Sequence, residues 1–528
     1  MDSMQLFELI IGMMLAIIAL HYAARRLRLP PAIALLAGGA VLAFVPGLPR
    51  IELDPELVLV IFLPPLLMDG AWFIALAHLK RHMIGIASLA IGAVLFTTLA
   101  VAVAAHMLIP SLPWSACAAL GAIVSPPDAI AVRAVLQTVR LPRRLQILLE
   151  GESLLNDATG LVLFRFAIAA GVTGGFSTMD ALESFVVLAL GGALVGVAIG
   201  ASWVVLVRRL GDDYLMIAAS ILLPWTAYML GEAIHVSGVI ATVTTGLICG
   251  WYQHVIFQAS VRMRGTSFWT VMIFMMEATV FMLIGSTLRG VIERVGGLGV
   301  VLDEMAVPVL AILAVLTLAR FIWVFGSDLV IAVLKAMGLC RHFIPLGAGC
   351  NTVLGWAGMR GVVTLAVALS VPDGFPGRDF MLVTAFAVIL IPVLLQGTTL
   401  GAVIRKARLV EPETERVRMT ASQAEAAMAQ AQAALVESRA YDEEGKLIHP
   451  QLLERYRRMA RVHADYAGNE ASYAPRVQAH FGLILEAIAA GRAELIRLHR
   501  AGEIDERTLH DLERVLDLEE LTAQSALS

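Results

Sequence analysis

Charge is scarce in this chain. Only 16% of its 528 residues are Asp, Glu, Lys or Arg, against 59% hydrophobic residues. A composition this poor in charge, with a mean hydropathy of +0.80, excludes an ordinary soluble domain and points to a polytopic membrane protein. The four cysteines, Cys117, Cys249, Cys340 and Cys350, lie in or beside apolar segments without paired spacing. That excludes a disulfide framework or a zinc site. A phosphate-binding Gly-rich loop, a His-Glu-x-x-His helix and a Gly-x-Ser-x-Gly elbow are all absent, and the histidines are scattered, so no enzyme, cofactor or nucleic-acid partner is expected. No basic start precedes the first apolar run, so residues 4–22 read as a retained span rather than a cleaved leader.

What is present is a series of long apolar runs. About thirteen spans are expected, at 4–22, 30–46, 55–78, 83–109, 114–135, 146–171, 178–207, 213–231, 236–252, 267–288, 304–335, 345–371 and 380–404. Clusters of Arg and Lys, from Arg25-Arg26 through Arg143-Arg144 to Arg405-Lys406, follow every odd-numbered span. The positive-inside rule then places the N-terminus outside the cell membrane and the C-terminal part in the cytoplasm. Residues 1–405 form the membrane domain and 406–528 a helical tail. Within the tail, helices are expected at 415–440, 476–500 and 505–524, with breaks at His449-Pro450 and Gly502. The tail either supports folding and assembly or regulates by pH or ligand.

Two spans are broken. Ser125-Pro126-Pro127-Asp128 cannot continue a regular helix, and Gly355 with Gly358-Met359-Arg360-Gly361 interrupts the twelfth span. An odd offset of seven makes these spans cross in opposite directions, which suggests inverted six-span repeats with span seven as the link. Broken helices in matching positions mark a transport site. Asp128 can balance the positive half-helix ends and Arg360 the negative ones.

Between them in the chain stands Gly151-Glu152-Ser153-Leu154-Leu155-Asn156-Asp157, a polar stripe in an apolar helix. Positions 152, 153, 156 and 157 fall within about 140° of arc. Two acids, a hydroxyl and an amide are ligand types for a small hard cation, and an acid at this depth is a functional candidate. Asp157 in a wet cavity can hold a sodium ion or a proton, not both. Asn156 reads as a clamp on the broken fifth span, with direct ion contact as the alternative. Ser153 is either a ligand or bonded back to its own helix. Glu152 needs a counter-charge, for which Arg320 is the candidate; the alternative is Arg320 snorkelling to an interface. Asp69 and Glu277 are further intramembrane acids, either lining an ion path or structural. Glu150 and Arg165 also lie in or near this span; Arg165, about 80° around the helix from Asp157, has no assigned role, with pairing to an acid on another helix as the alternative.

These residues resemble a known family. The heptapeptide at 151–157 resembles the signature of the first class of monovalent cation:proton antiporters, the sodium/proton exchangers. Phe62-Leu63-Pro64-Pro65-Leu66-Leu67, Gly358-Met359-Arg360-Gly361-Val362-Val363 and Glu277-Ala278-Thr279-Val280-Phe281-Met282-Leu283-Ile284-Gly285 are similar to other runs of that family, in order, over about residues 5–405. The resemblance implies thirteen spans, a homodimer and elevator-like movement of a core domain. It implies Asp157 as shared Na⁺ and H⁺ carrier, Ser153 and Asp128 close to the ion, and Glu152 held by Arg320. Asn156, where electrogenic members have Asp, implies electroneutral exchange serving pH and sodium homeostasis. Pro127 departs from the family, which has Thr or a small residue there. A hydroxyl is lost, and Ser125 is the residue that could replace it. A K⁺/H⁺ antiporter on the same scaffold, and a membrane sensor signalling through the tail, are the alternatives.

Overall fold

Helices dominate the computed structural model, which describes residues 3–27, 29–45, 55–74, 76–128, 141–173, 178–338, 345–407, 409, 419–442, 444–468, 470–501 and 503–527. Among these, the β structure is an isolated bridge between Tyr441 and Leu447. The chain divides into two units, 1–411 and 412–528. Apolar side chains compel helices in the first unit, because backbone N–H and C=O groups facing lipid must be satisfied within their own segment.

Nine described helices are long and apolar enough to cross a membrane, among them Arg143–Val172, Asp213–Ala233, Ala259–Arg294 and Leu298–Ala336. The spans expected at 30–46, 55–78 and 114–135 correspond to shorter apolar helices, Pro31–Ala43, Leu57–Phe73 and Trp114–Val124. The span at 345–371 is two pieces, Ala348–Trp356 and Val362–Leu369. Among the described residues, length and apolarity together support nine crossings, and the other four of the expected thirteen correspond to these shorter or interrupted helices. The prolines at 126 and 127 explain why the fifth stops at Val124. Residues 129–135 of that span, Arg140, Cys340, Arg341 and Gly502 lie outside the described residues.

Several helices outrun their apolar stretch. Arg262 and Arg264, expected in a connection, sit in the first turns of helix Ala259–Arg294. Long basic side chains can lay their stems on an apolar surface while the head stays wet, so the helix need not end where the apolar run does.

Close packing fixes one pair of helices through glycine. Helix Pro31–Ala43 lies against Ala259–Arg294 so tightly that a Cβ on Gly39 would strike the Met282 carbonyl, and one on Gly285 would meet the Leu36 carbonyl and Ala40 N. This is the small-residue contact that lets helix backbones approach in lipid. Gly285→Ala is expected to cost about 1–3 kcal/mol by overpacking. Gly290→Ala on the same helix, where a Cβ meets nothing within 4 Å, is the control. Melting of the detergent-solubilised protein checks both, and equal melting of the two variants would refute the contact.

The second unit is helical: Ala421–Arg439, Pro450–Gly468, Glu470–Arg500 and Glu506–Leu527. A capping box of Thr420 and Gln423 starts the first. Asp505 caps the last, and the Thr508 hydroxyl and backbone N–H hold its carboxyl below the usual range. The first two helices pack together, as do the last two, where Arg492 bridges Asp517 and Glu520. Helix Pro450–Gly468 is absent from the sequence reading. Leu452, Leu453, Tyr456, Met459 and Tyr466 recur at helical spacing, but His449-Pro450 reads only as a break in the sequence, whereas Pro450 opens this helix as a favourable first-turn proline.

Candidate cation site

The two helix breaks meet. Asp128 N donates to the Met359 carbonyl at 2.8 Å, joining the chain just past helix Trp114–Val124 to the break between Ala348–Trp356 and Val362–Leu369. Each break leaves backbone groups unpaired, and side chains satisfy them. Arg360 donates from Nε to the Val124 carbonyl at 2.9 Å and from Nη2 to the Ser125 carbonyl at 3.2 Å, with Nη1 on Gly358. A guanidinium thus sits at the negative end of helix Trp114–Val124. Gly361 precedes helix Val362–Leu369, and a Cβ there would run into the Asp128 carboxylate. An acid thus sits at that helix's positive end.

Helix Arg143–Thr173 runs beside the breaks. Asn156, fully buried, donates Nδ2 to the Pro127 carbonyl at 2.5 Å. That contact ties the Asp157 helix to the broken fifth span, in the geometry of a clamp. Glu152 lies in a bidentate pair with Arg320 from helix Ala306–Ala336, at 2.6 Å from Nη1 and 2.9 Å from Nη2. Arg320 Nε donates to the Leu354 carbonyl at 3.1 Å. Both partners are buried, so Arg320 does not snorkel.

Asp157 differs from Glu152. It is 8% exposed, and among the described residues no arginine or lysine pairs with its carboxylate. It lines a cavity of about 30 Å³ together with Asp128, Ser153 and Glu150, walled by Leu63, Leu66 and Val363. That volume accommodates a water-sized guest. Carboxylate and hydroxyl oxygens and apolar side chains together line this space, and oxygens of this kind are the donor type a small hard cation takes.

The other sequence candidates lie apart. The Ser125 hydroxyl donates to the Gly121 carbonyl at 2.5 Å and accepts from Thr98 at 3.0 Å, and Ser125 does not line the cavity. The oxygen lost at Pro127 is therefore not restored from position 125 in this arrangement. Asp69 lines a separate cavity of about 30 Å³ with Trp72, Gln253, Arg262 and Trp269. Glu277 is half-buried on helix Ala259–Arg294 and lines neither. Arg165 pairs with Glu232 of helix Asp213–Ala233 at 3.0 Å, and Glu232 also accepts from Gly238 N at 3.2 Å. The sequence left Glu150 without a role, although its seven-residue spacing from Asp157 was the available signal; the structure puts it in the cavity.

The family described as "Sodium/hydrogen exchanger, transmembrane" matches residues 12–406. An uncharacterised Na⁺/H⁺ exchanger of Mycobacterium tuberculosis (strain ATCC 25618 / H37Rv) is 30% identical, over 97% of this chain and 95% of its own. A sodium, potassium, lithium and rubidium/H⁺ antiporter of Bacillus subtilis (strain 168) is 33% identical, over 70% of this chain and 57% of its own. Among solved structures, the sodium proton antiporter MjNhaP1 from Methanocaldococcus jannaschii shares the fold, with a TM-score of 0.58 at 22% identity, over 76% of this chain and 99% of that one. All of these are named as exchangers or antiporters, that is, as transporters rather than enzymes. A match across three quarters of its length, through both helix breaks and the helix that carries Asp157, places this chain in the sodium/hydrogen exchanger family of multi-pass membrane antiporters.

Proposed function

We propose that this protein exchanges Na⁺, or Li⁺, for H⁺, one for one, with Asp157 as the shared carrier and Ser153 and Asp128 as further ion ligands. The observation that carries this is the contrast between two acids on one helix. Glu152 is neutralised by Arg320, whereas Asp157 faces a cavity with no paired base among the described residues. The Asp157 carboxylate can take up one sodium ion or one proton. Both loaded forms are neutral at that residue. The empty carboxylate would have to pass apolar walls unpaired, which is costly, so the return step requires a proton. Coupling follows without ATP.

In this reading thirteen spans form inverted repeats, the core moves by an elevator step, and two copies assemble as a homodimer in the cell membrane. Asn156 and Arg360 hold the broken helices in register around the ion. The basic connections put the N-terminus outside and residues 406–528 in the cytoplasm, and the activity serves pH and sodium homeostasis. Asp69 and Glu277 remain outside the ion site proper.

A K⁺/H⁺ exchange is the second reading, favoured by the Bacillus subtilis relative, whose name includes potassium and rubidium, and by the missing hydroxyl at Pro127. Everted vesicles with an internal pH dye separate the two: Na⁺ is expected to drive proton movement well below the concentration of K⁺ needed. Equal potency of K⁺ would replace the first reading by the second. A transported net charge would feel about 2.3 kcal/mol per 100 mV. The exchange rate is expected to stay unchanged under an imposed potential, and a potential-dependent rate would refute the one-for-one ratio.

A further inference from the structure

We infer that Glu150 is the mouth carboxylate of this cavity and concentrates monovalent cations on their way to Asp157. The inference rests on the exchange reading above and adds a residue to it.

Residues 150, 153 and 157 fall within about 60° of arc on one helix face, and 150 and 157 stand about 10 Å apart along the axis. All three line the same cavity. Glu150 is half-buried and Asp157 buried, so the row runs from the more accessible residue, nearer the helix's basic start, to the site. The partners of Glu150 set it apart from its neighbours. Glu152 has Arg320, and Arg165 has Glu232. Glu150 accepts only from the neutral amide of Gln146, at 2.8 Å, and among the described residues no lysine or arginine pairs with it. Its charge therefore stays uncompensated where it faces the cavity.

Three acids, Asp128, Glu150 and Asp157, share a cavity with Ser153 and with apolar walls that include Leu63, Leu66 and Val363. Low-dielectric walls focus the field of like charges and raise the local concentration of counter-ions. A unit charge about 10 Å from the ion, at an effective dielectric constant of about 40, changes occupancy about fourfold. Glu150 lies at the end of the helix that begins with Arg143 and Arg144, so the effect belongs to that face of the membrane, the cytoplasmic one in the proposed orientation.

The test uses the full chain in proteoliposomes, with sodium presented to the Glu150 face. Glu150→Gln is expected to raise the KM for Na⁺ about fourfold at low ionic strength, with a smaller change in maximal rate. It is also expected to flatten the rise of KM with added tetramethylammonium chloride, because screening can only remove an attraction that exists. Glu150→Asp restores both. Gln146→Lys, which sets an ammonium beside an unaltered Glu150, reproduces the Glu150→Gln result and serves if that variant folds poorly. An unchanged KM and salt dependence in Glu150→Gln or Gln146→Lys, or a rise shared equally by Glu150→Asp, overturns the inference. Asp157→Asn measured alongside separates the failures: residual exchange there refutes the exchange reading itself. Loss of exchange in Asp157→Asn with a wild-type Glu150→Gln refutes only the role of Glu150.

Discussion

Asp157→Asn is expected to reduce sodium-driven proton movement in everted vesicles to that of vesicles without the protein. Asparagine keeps the shape of the side chain but can neither take a proton nor balance a cation. The variant is expected to fold as well as the wild type, because Asp157 has no paired base among the described residues that its loss would strand. Ligand binding supplies the second readout. Sodium at a hundred times its dissociation constant stabilises the native state by about 2.7 kcal/mol, so wild-type melting should rise with sodium and that of Asp157→Asn should not. Undiminished exchange in the variant would remove Asp157 from the mechanism. A sodium-dependent melting shift that survives would place the ion elsewhere.

Arg320→Ala is expected to act on folding instead. The guanidinium spans Glu152 and the Leu354 carbonyl in a buried site, and removing it leaves a carboxylate and a carbonyl without their donor. Breaking a buried pair from one side costs about 3–5 kcal/mol. The double variant Glu152→Gln with Arg320→Gln removes both charges and is expected to cost less than Arg320→Ala alone, since the largest part of the penalty is the stranded charge. Melting of the purified protein checks the order. Arg320→Ala melting like the wild type, or the double variant melting below it, would refute the assignment. The double variant is further expected to keep a near wild-type KM for sodium, because the pair supports the site without lining the cavity.

The two acids of Gly151–Asp157 were legible as unequal for a physical reason. A charge in an apolar helix must be paired or functional, and the chain has an arginine placed mid-span at Arg320. Helix breaks were legible because proline lacks a donor and glycine tolerates interruption. Less was legible where contact is long-range. Arg165 could be read as pairing with an acid on another helix, but its partner, Glu232, lies 67 residues on and no local pattern names it. Asp69 and Asp157 look alike as intramembrane acids, yet they line separate cavities. Helix Pro450–Gly468 escaped although Leu452, Leu453, Tyr456, Met459 and Tyr466 recur at helical spacing, because a proline both ends helices and opens them and His449-Pro450 was read only as a break.

By itself the sequence determined the membrane class, the all-helical fold, the family resemblance and the short list of polar residues at depth. Composition and period are local properties, and the cost of burying charge applies wherever a charge occurs. Only the tertiary structure decided which of those residues share a cavity, that Ser125 is occupied elsewhere, and that Glu150 faces the same space as Asp157. Those facts depend on how helices far apart in the chain pack across one another, and packing is set by the whole set of contacts rather than by any segment.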